Sequence, residues 1–113
     1  MIRIYRLVFL VLVLLISYAA LTPQGDISIP YIDKILHFSA FLMLSFSMDL
    51  SIKKPLLLSK AALIFLIFYA LLIEFVQYFL PYRSAELFDF ISDLLGILVY
   101  LYFAPKLNIT HSQ

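Results

Sequence analysis

Cysteine and tryptophan are absent from the chain, and glycine occurs only twice among its 113 residues, as Gly25 and Gly96. Without cysteine the protein has no disulfide bond, thiolate nucleophile or cysteine metal ligand. Charged residues are scarce as well, at 13%, whereas soluble domains carry about 25%. The net charge of +1 and the scattered basic residues argue against a nucleic-acid partner. No HExxH, GxSxG or phosphatase-like signature occurs, so no motif names a reaction.

Apolar residues make up 65% of the chain and form four long stretches. Each stretch has roughly the 20 residues that an α-helix needs to cross a bilayer. We therefore predict an all-α fold, an integral membrane bundle of four transmembrane helices that occupies residues 1–113 as a single domain. The first stretch, preceded by Arg3 and Arg6, also resembles a secretory signal, but the three apolar stretches that follow favour a retained helix. The predicted helices run over residues about 5–22, 33–50, 60–80 and 87–104.

The basic residues predict the orientation of this bundle. Of the eight Lys and Arg residues, Lys34 and Arg83 fall on one side of the predicted bundle and the other six fall on the opposite side. Because cytoplasmic loops are enriched in Lys and Arg, we expect both termini to be cytoplasmic and the loops near residues 22–33 and 80–88 to be outside. The six residues are Arg3, Arg6, Lys53, Lys54, Lys60 and Lys106.

Helices two, three and four carry polar residues that this orientation places towards the outer side. A charge at the centre of a membrane helix costs about 2.5–3.5 kcal/mol even on insertion scales, so composition alone does not account for so many. The residues are Asp33, Lys34 and His37 on helix two, Glu74 and Gln77 on helix three, and Asp89 and Asp93 on helix four.

Helical spacing places several of these residues on common faces. Asp33 and His37 are four residues apart, so the carboxylate could orient or charge the imidazole. Asp89, Asp93 and Gly96 follow one stripe of helix four, and the small glycine lets a neighbouring helix approach closely. We therefore expect this acidic stripe to face other helices. With a second carboxylate one turn away, we also expect Asp93 to be protonated and to act as a hydrogen-bond donor.

Each of these features also has a purely structural interpretation. Asp33 fits an N-cap, His37 fits a hydrogen-bonded packing residue, and Glu74 with Arg83 fits an ion pair that locks two helices. Tyrosines at the helix ends fit the aromatic belt of a membrane interface. They are Tyr78, Tyr82, Tyr100 and Tyr102.

Two blocks of the sequence resemble the VanZ-like family of small bacterial membrane proteins. The block 74–96, EFVQYFLPYRSAELFDFISDLLG, is similar to the family signature, and DKILHF at 33–38 is similar to its second block. Asp93 departs from the family pattern, which usually has Asn there, and a protonated Asp93 would imitate that Asn. The resemblance implies a multi-pass protein of the bacterial cytoplasmic (inner) membrane with a role in the cell envelope related to glycopeptide antibiotic resistance. The matching signature residues are Glu74, Gln77, Pro81, Arg83, Asp89 and Gly96.

The first functional hypothesis is an accessory or binding protein, a role that we prefer to an enzymatic one. It would engage an anionic, phosphate-bearing component of the envelope at the outer face, such as a lipid-linked precursor. Lys34, His37 and Arg83 would contact the phosphate. Membrane lipids are then the expected partners, and an oligomer is compatible with this role. The supporting polar cluster would consist of Asp33, Glu74, Gln77, Asp89 and Asp93.

Two alternatives stay open. In an intramembrane hydrolase or transferase, His37 would be the general base or nucleophile, and Glu74 or Asp89 would orient it. We predict no cofactor, although Asp33, His37, Glu74 and Asp89 are ligand types that a divalent metal accepts. In a structural or ion-coupled bundle, the same polar residues would lock the helices together or relay protons.

Overall fold

The computed structural model describes residues 2–22, 32–81 and 87–107, apart from the side chains of residues 32, 33 and 107. The described residues form four α-helices that begin and end within about one turn of the predicted bounds. Short 3₁₀ turns follow the second helix, at Leu56–Leu58, and the fourth, at Ala104–Leu107. The single-domain organisation stays a prediction. The helices are α1 (Ile2–Leu21), α2 (Ile32–Ser51), α3 (Lys60–Tyr78) and α4 (Leu87–Phe103).

Three of the four helices, α1, α3 and the stretch Leu87–Lys106 that contains α4, are long and apolar enough to cross a membrane. α2 is as long as α1, at 20 residues, but Lys34, His37 and Asp49 make it more polar. Large apolar side chains cover much of the described outer surface, which suits contact with lipid tails. The all-α membrane character is therefore confirmed, and the crossing of the membrane by α2 stays a prediction.

Successive helices run in opposite directions, as contacts at the two ends of the bundle show. Near the ends of α3 and α1, Nε2 of Gln77 donates to the carbonyl oxygen of Ala20 at 2.8 Å. At the opposite end, Nε of Arg6 in α1 donates to the carbonyl oxygen of Ser51 in α2 at 2.9 Å. We call the end with the N-termini of α2 and α4 the site end and the opposite end the far end. All six basic residues predicted to be cytoplasmic belong to the far end, and which end is cytoplasmic stays a prediction.

The most extensive helix–helix interface joins α2 and α4, and Gly96 makes it close. A Cβ atom added at Gly96 would lie 2.5 Å from the carbonyl oxygen of Phe38 and 3.0 Å from the backbone nitrogen of Leu42. No other residue fits at that separation. The predicted role of Gly96 on the stripe with Asp89 and Asp93 is confirmed, because that stripe faces α2.

A polar contact joins the same two helices at the far end. The hydroxyl of Tyr100 in α4 donates to Oδ2 of Asp49 in α2 at 2.5 Å. The other oxygen of Asp49 accepts from the backbone nitrogen of Leu56 at 3.0 Å. Tyr100 is only 3% exposed, so the prediction that it belongs to an interfacial belt is wrong. Its hydroxyl finds a buried carboxylate, which removes the need to reach the membrane surface.

Polar contacts also attach α1, although most of its surface points outward. The hydroxyl of Tyr69 in α3 donates to the carbonyl oxygen of Val13 at 3.0 Å and accepts from the hydroxyl of Ser17 at 2.5 Å. Because hydrogen bonds between helices have few competitors in lipid, this contact and the Gln77–Ala20 bond fix α1 against α3.

Candidate functional site

His37, in the second turn of α2, pairs with Asp93, in the second turn of α4. Nδ1 of the imidazole lies 2.7 Å from Oδ1 of the carboxylate. The side chain of Asp93 is fully buried and that of His37 is 11% exposed. The close approach that Gly96 permits places these two turns opposite each other. The expected protonation of Asp93 stays a prediction.

Asp89, one turn before Asp93, lies at the other side of the imidazole. Its Oδ2 is 3.8 Å from Nε2 of His37, and its Oδ1 is 3.2 Å from Nζ of Lys34. The side chain of Lys34 is 22% exposed, against 5% for Asp89. The site therefore opens to the surface at Lys34 and is closed at Asp93.

Glu74 brings α3 into the same site. One ligand atom from each of His37, Glu74 and Asp93 lies within 4.8 Å of the other two. We call these three residues the His37 cluster. An imidazole and two carboxylates from three different helices thus meet inside a bundle that is otherwise mostly apolar.

Two buried oxygen atoms in this region have no hydrogen-bond partner among the described residues. They are Oδ2 of Asp93, whose residue is 0% exposed, and Oε1 of Gln77, whose residue is 1% exposed. Gln77 follows Glu74 by one turn of α3 and uses its nitrogen for Ala20. A buried acceptor without a donor costs about 1–3 kcal/mol, and such groups often mark the place of a water molecule or an ion.

The structure brings six of the eight predicted site residues to one end of the bundle. Of the other two, Arg83 lies outside the described residues, and so does the side chain of Asp33. The predicted contacts of Asp33 with His37 and of Arg83 with Glu74 therefore stay predictions. The six are Lys34, His37, Glu74, Gln77, Asp89 and Asp93.

Sequence reasoning named six residues that the structure brings to one end of the bundle, but it missed the direct partner of His37. It named Asp33, Glu74 or Asp89 for that role, whereas Asp93 makes the 2.7 Å contact. The available signal was the acidic stripe of α4, which had to face a neighbouring helix. Nothing in the sequence alone said that this neighbour would present His37.

The depth and charge of the site limit what it can do. At about 1.5 Å of rise per residue, His37 and Asp93 lie roughly 8–9 Å below the site ends of their helices. Three carboxylates face one ammonium group and one imidazole, so the described site has an excess of formal negative charge. Such a site suits proton transfer or cation binding, and its excess negative charge disfavours an anion.

Comparisons with known proteins show to which family the chain is related. Residues 2–108 match the sequence profile of the VanZ/LLP1 family. An uncharacterised fission yeast protein, C11E3.10 of Schizosaccharomyces pombe, is 36% identical over 93 residues, covering 79% of this chain and 55% of the relative. The chain thus spans about half the length of this relative. No solved structure matches the chain. Since the match covers all four helices and every described residue of the site, the chain belongs to the VanZ/LLP1 family.

Proposed function

We propose that the protein is a membrane-embedded hydrolase or transferase that acts on the phosphate group of a membrane lipid. The observation that carries the proposal is the convergence of His37, Glu74 and Asp93 within 4.8 Å. Ionisable groups inside a membrane bundle are costly, and functional sites are where they usually occur. The His37 cluster would be the reaction centre.

The depth of the site supports a lipid substrate. α2 has 20 residues and is therefore about 30 Å long, as long as the hydrocarbon core of a bilayer is thick. Groups roughly 8–9 Å below the helix ends therefore lie inside the hydrocarbon, one to two helical turns below the head groups. The phosphate of a lipid would reach this depth while its tails stay beside the apolar helix surfaces. A water-soluble substrate would have to leave water to reach the same atoms.

Lys34 is the described residue best placed to contact the phosphate first. Its ammonium group is the more exposed member of the Lys34–Asp89 pair, and it lies at the open side of the site. Arg83 stays the proposed second contact, because it comes from the loop between α3 and α4 and a guanidinium suits phosphate.

The reaction itself would be a displacement at phosphorus. In the hydrolytic version, the oxygen of a water molecule forms a new bond to phosphorus and the bond from phosphorus to the leaving oxygen breaks. The His37 cluster takes the proton that the water loses, and the leaving oxygen receives a proton in return. In the transferase version, a hydroxyl group of a second lipid or sugar replaces the water.

The family relationship is compatible with more than one membrane. We keep the bacterial cytoplasmic membrane as the proposed location and a lipid-linked envelope precursor as the proposed substrate. The fission yeast relative favours naming the class more broadly, as a phosphate-bearing lipid, since bacteria and yeasts both make such lipids. Involvement in antibiotic resistance would follow only from the envelope substrate.

A binding protein without turnover is the second candidate, and one observation favours it. Both ring nitrogens of His37 face carboxylates, at 2.7 Å and 3.8 Å. Nδ1 is hydrogen-bonded to Asp93 and Asp89 lies next to Nε2 at ion-pair distance, so in this arrangement the imidazole pairs within the protein. On this alternative the site would hold the lipid phosphate for a partner and leave it unchanged.

Reconstitution tests the two candidates together. The purified chain is placed in vesicles that contain phosphatidic acid or a polyprenyl diphosphate, and ³¹P NMR follows the phosphate. We expect turnover by the wild type and at least about a hundredfold loss in His37→Ala, with the helical circular dichroism unchanged. No turnover, together with phosphate-bearing lipid that stays bound to the wild type but not to His37→Ala when the protein is extracted into detergent, would support the binding protein. Equal turnover in wild type and His37→Ala would overturn the proposed reaction centre.

A further inference from the structure

We infer that the His37 cluster binds one divalent cation of borderline hardness, such as Mn²⁺ or Zn²⁺. One imidazole nitrogen of His37 and one oxygen each from Glu74 and Asp93 would be its protein ligands. The role of the cation in turnover rests on the proposed function, whereas its binding does not.

The dimensions of the cluster fit a single cation. Nitrogen and carboxylate ligands lie about 2.0–2.2 Å from such a metal, so two ligands of one ion are at most about 4.4 Å apart. The three ligand atoms lie within 4.8 Å of one another, and Nδ1 of His37 lies 2.7 Å from Oδ1 of Asp93. At tetrahedral angles two such ligands are about 3.4 Å apart. The pair at 2.7 Å therefore has to open and the widest pair has to close by at most about 1.4 Å, shifts that side-chain rotation can supply.

A second observation points to a bound cation independently of the clustering. Oδ2 of Asp93 is buried without a hydrogen-bond donor among the described residues, and Asp93 is 0% exposed. A carboxylate in that position gains its missing partner if a cation binds next to it. A structural lock without a bound ion or water would leave this oxygen unsatisfied.

Asp89 is placed to supply the outer carboxylate that accompanies metal-bound histidines in other proteins, although at 3.8 Å it lies beyond hydrogen-bond distance of Nε2. A ligating imidazole normally uses its second nitrogen to donate to a carboxylate, which fixes the ring and makes it a better ligand. Asp89 faces Nε2 of His37 at 3.8 Å, and Lys34 holds Asp89 from the other side at 3.2 Å. If Nδ1 ligates the cation beside Asp93, both flanking carboxylates of His37 have a role.

The formal charge of the site and the chemistry of its ligand atoms determine which class of cation fits. A bound cation would displace the proton expected on Asp93. With neutral His37, the three ionised carboxylates and Lys34 then leave two formal negative charges, and one divalent cation cancels them. An imidazole ligand disfavours Ca²⁺ and Mg²⁺, which prefer oxygen donors, and two carboxylates without any thiolate disfavour Cu⁺. Mn²⁺ and Zn²⁺ accept the mixed set.

Such a cation would resolve the electrostatic problem of the proposed substrate. A site with excess negative charge repels a lipid phosphate, whereas a bound divalent cation attracts the phosphate oxygens and lowers the proton affinity of a bound water. Lys34 would then contact the same phosphate from the open side. The phosphate and the attacking water would meet at the cation.

Binding of the metal alone tests the inference. The purified full chain is treated with EDTA, exchanged into chelator-free detergent and titrated with Mn²⁺, with electron paramagnetic resonance reporting free ion. We expect one Mn²⁺ per chain, displaced by one equivalent of Zn²⁺. We expect at least about a hundredfold weaker binding in His37→Ala, Glu74→Gln and Asp93→Asn, and a tenfold to hundredfold loss in Asp89→Asn, in the range known for such outer carboxylates.

Asp49→Asn is the matched control, because Asp49 is also a buried carboxylate of the α2–α4 interface but lies at the far end. It should bind Mn²⁺ like the wild type. Three ligand variants are compared so that the test does not depend on a single variant that fails to fold. Circular dichroism checks the helical fold of each variant. No stoichiometric Mn²⁺ or Zn²⁺ binding by the folded wild type would overturn the inference, as would undiminished binding by the folded ligand variants. Metal binding without lipid turnover would refute only the proposed reaction.

Discussion

His37 and Asp93 are 56 residues apart in the sequence, yet their side chains lie 2.7 Å apart in the α2–α4 interface, near its site end. This contact connects the two helices at the position where the bundle also receives Glu74 from α3. The same two side chains therefore take part in the packing of the helices and in the proposed chemistry of the site. Substitutions at either residue have to be designed so that the two effects separate.

Two replacements of Asp93, by Asn and by Leu, separate its effect on helix packing from its effect on the proposed chemistry. Asn keeps a hydrogen-bonding group beside His37, so we expect the thermal unfolding midpoint to stay within a few degrees of the wild type. Leu leaves a polar group buried without its partner, and breaking a buried pair costs about 3–5 kcal/mol. Thermal unfolding in detergent, followed by circular dichroism, measures both.

The double variant His37→Leu with Asp93→Leu is the control for this pair. Because apolar residues of similar size can replace a buried polar pair with little loss, it should recover much of the stability lost in Asp93→Leu. It should show no turnover and no Mn²⁺ binding. A double variant as unstable as Asp93→Leu would contradict the view that the unpaired imidazole is the source of the instability.

Gly96→Ala tests the close approach of α2 and α4. The added Cβ would lie 2.5 Å from the carbonyl oxygen of Phe38, so the helices must separate, and overpacking of this kind costs about 1–3 kcal/mol. Because His37 and Asp93 sit on these two helices, turnover and metal affinity should fall with the unfolding temperature. Leu95→Ala, at a neighbouring and 48% exposed position, should change neither. Unchanged unfolding in Gly96→Ala would show that the interface is looser than the structure has it.

The sequence predicts the helices and the end at which the polar residues gather, because both follow from local information. Apolar stretches of about 20 residues indicate spans, and alternating direction then brings Lys34, Glu74 and Asp89 to one end. Which side chains touch depends on how the helices rotate and how closely they approach. That is why the pairing of His37 with Asp93 was missed, although both residues were named.

Tyr100 illustrates the same limit. A tyrosine near the end of a membrane helix usually indicates the interface, and Tyr78 and Tyr102 are indeed exposed, at 76% and 61%. Tyr100 is buried because its helix face turns towards Asp49 of α2. The spacing from Gly96, four residues along the same stripe, was the available signal.

Tyr100→Phe should weaken the far end and leave the site intact. The substitution removes the hydroxyl that donates to Asp49 at 2.5 Å, and hydrogen bonds to charged groups contribute about 1.5–3 kcal/mol. We expect a lower unfolding temperature but normal lipid turnover per folded molecule and normal Mn²⁺ affinity. Tyr102→Phe, with an exposed hydroxyl-bearing ring two residues later, is the control and should unfold like the wild type. A loss of metal affinity in Tyr100→Phe would mean that the two ends of the bundle are coupled.

Lys34→Gln tests the entrance of the site. Lys34 is bound to Asp89 at 3.2 Å and is 22% exposed, so its loss should affect stability little, as for most partly exposed ion pairs. If Lys34 contacts the lipid phosphate, the KM for lipid should rise about tenfold or more, while kcat falls less, because this contact acts in binding before the reaction. Lys34→Arg keeps the charge and should restore most of the affinity for lipid. Since Lys34 is not a metal ligand, Mn²⁺ affinity should persist in Lys34→Gln. If kcat and kcat/KM instead fell by the same factor and KM stayed unchanged, Lys34 would belong to the groups that act only in the transition state.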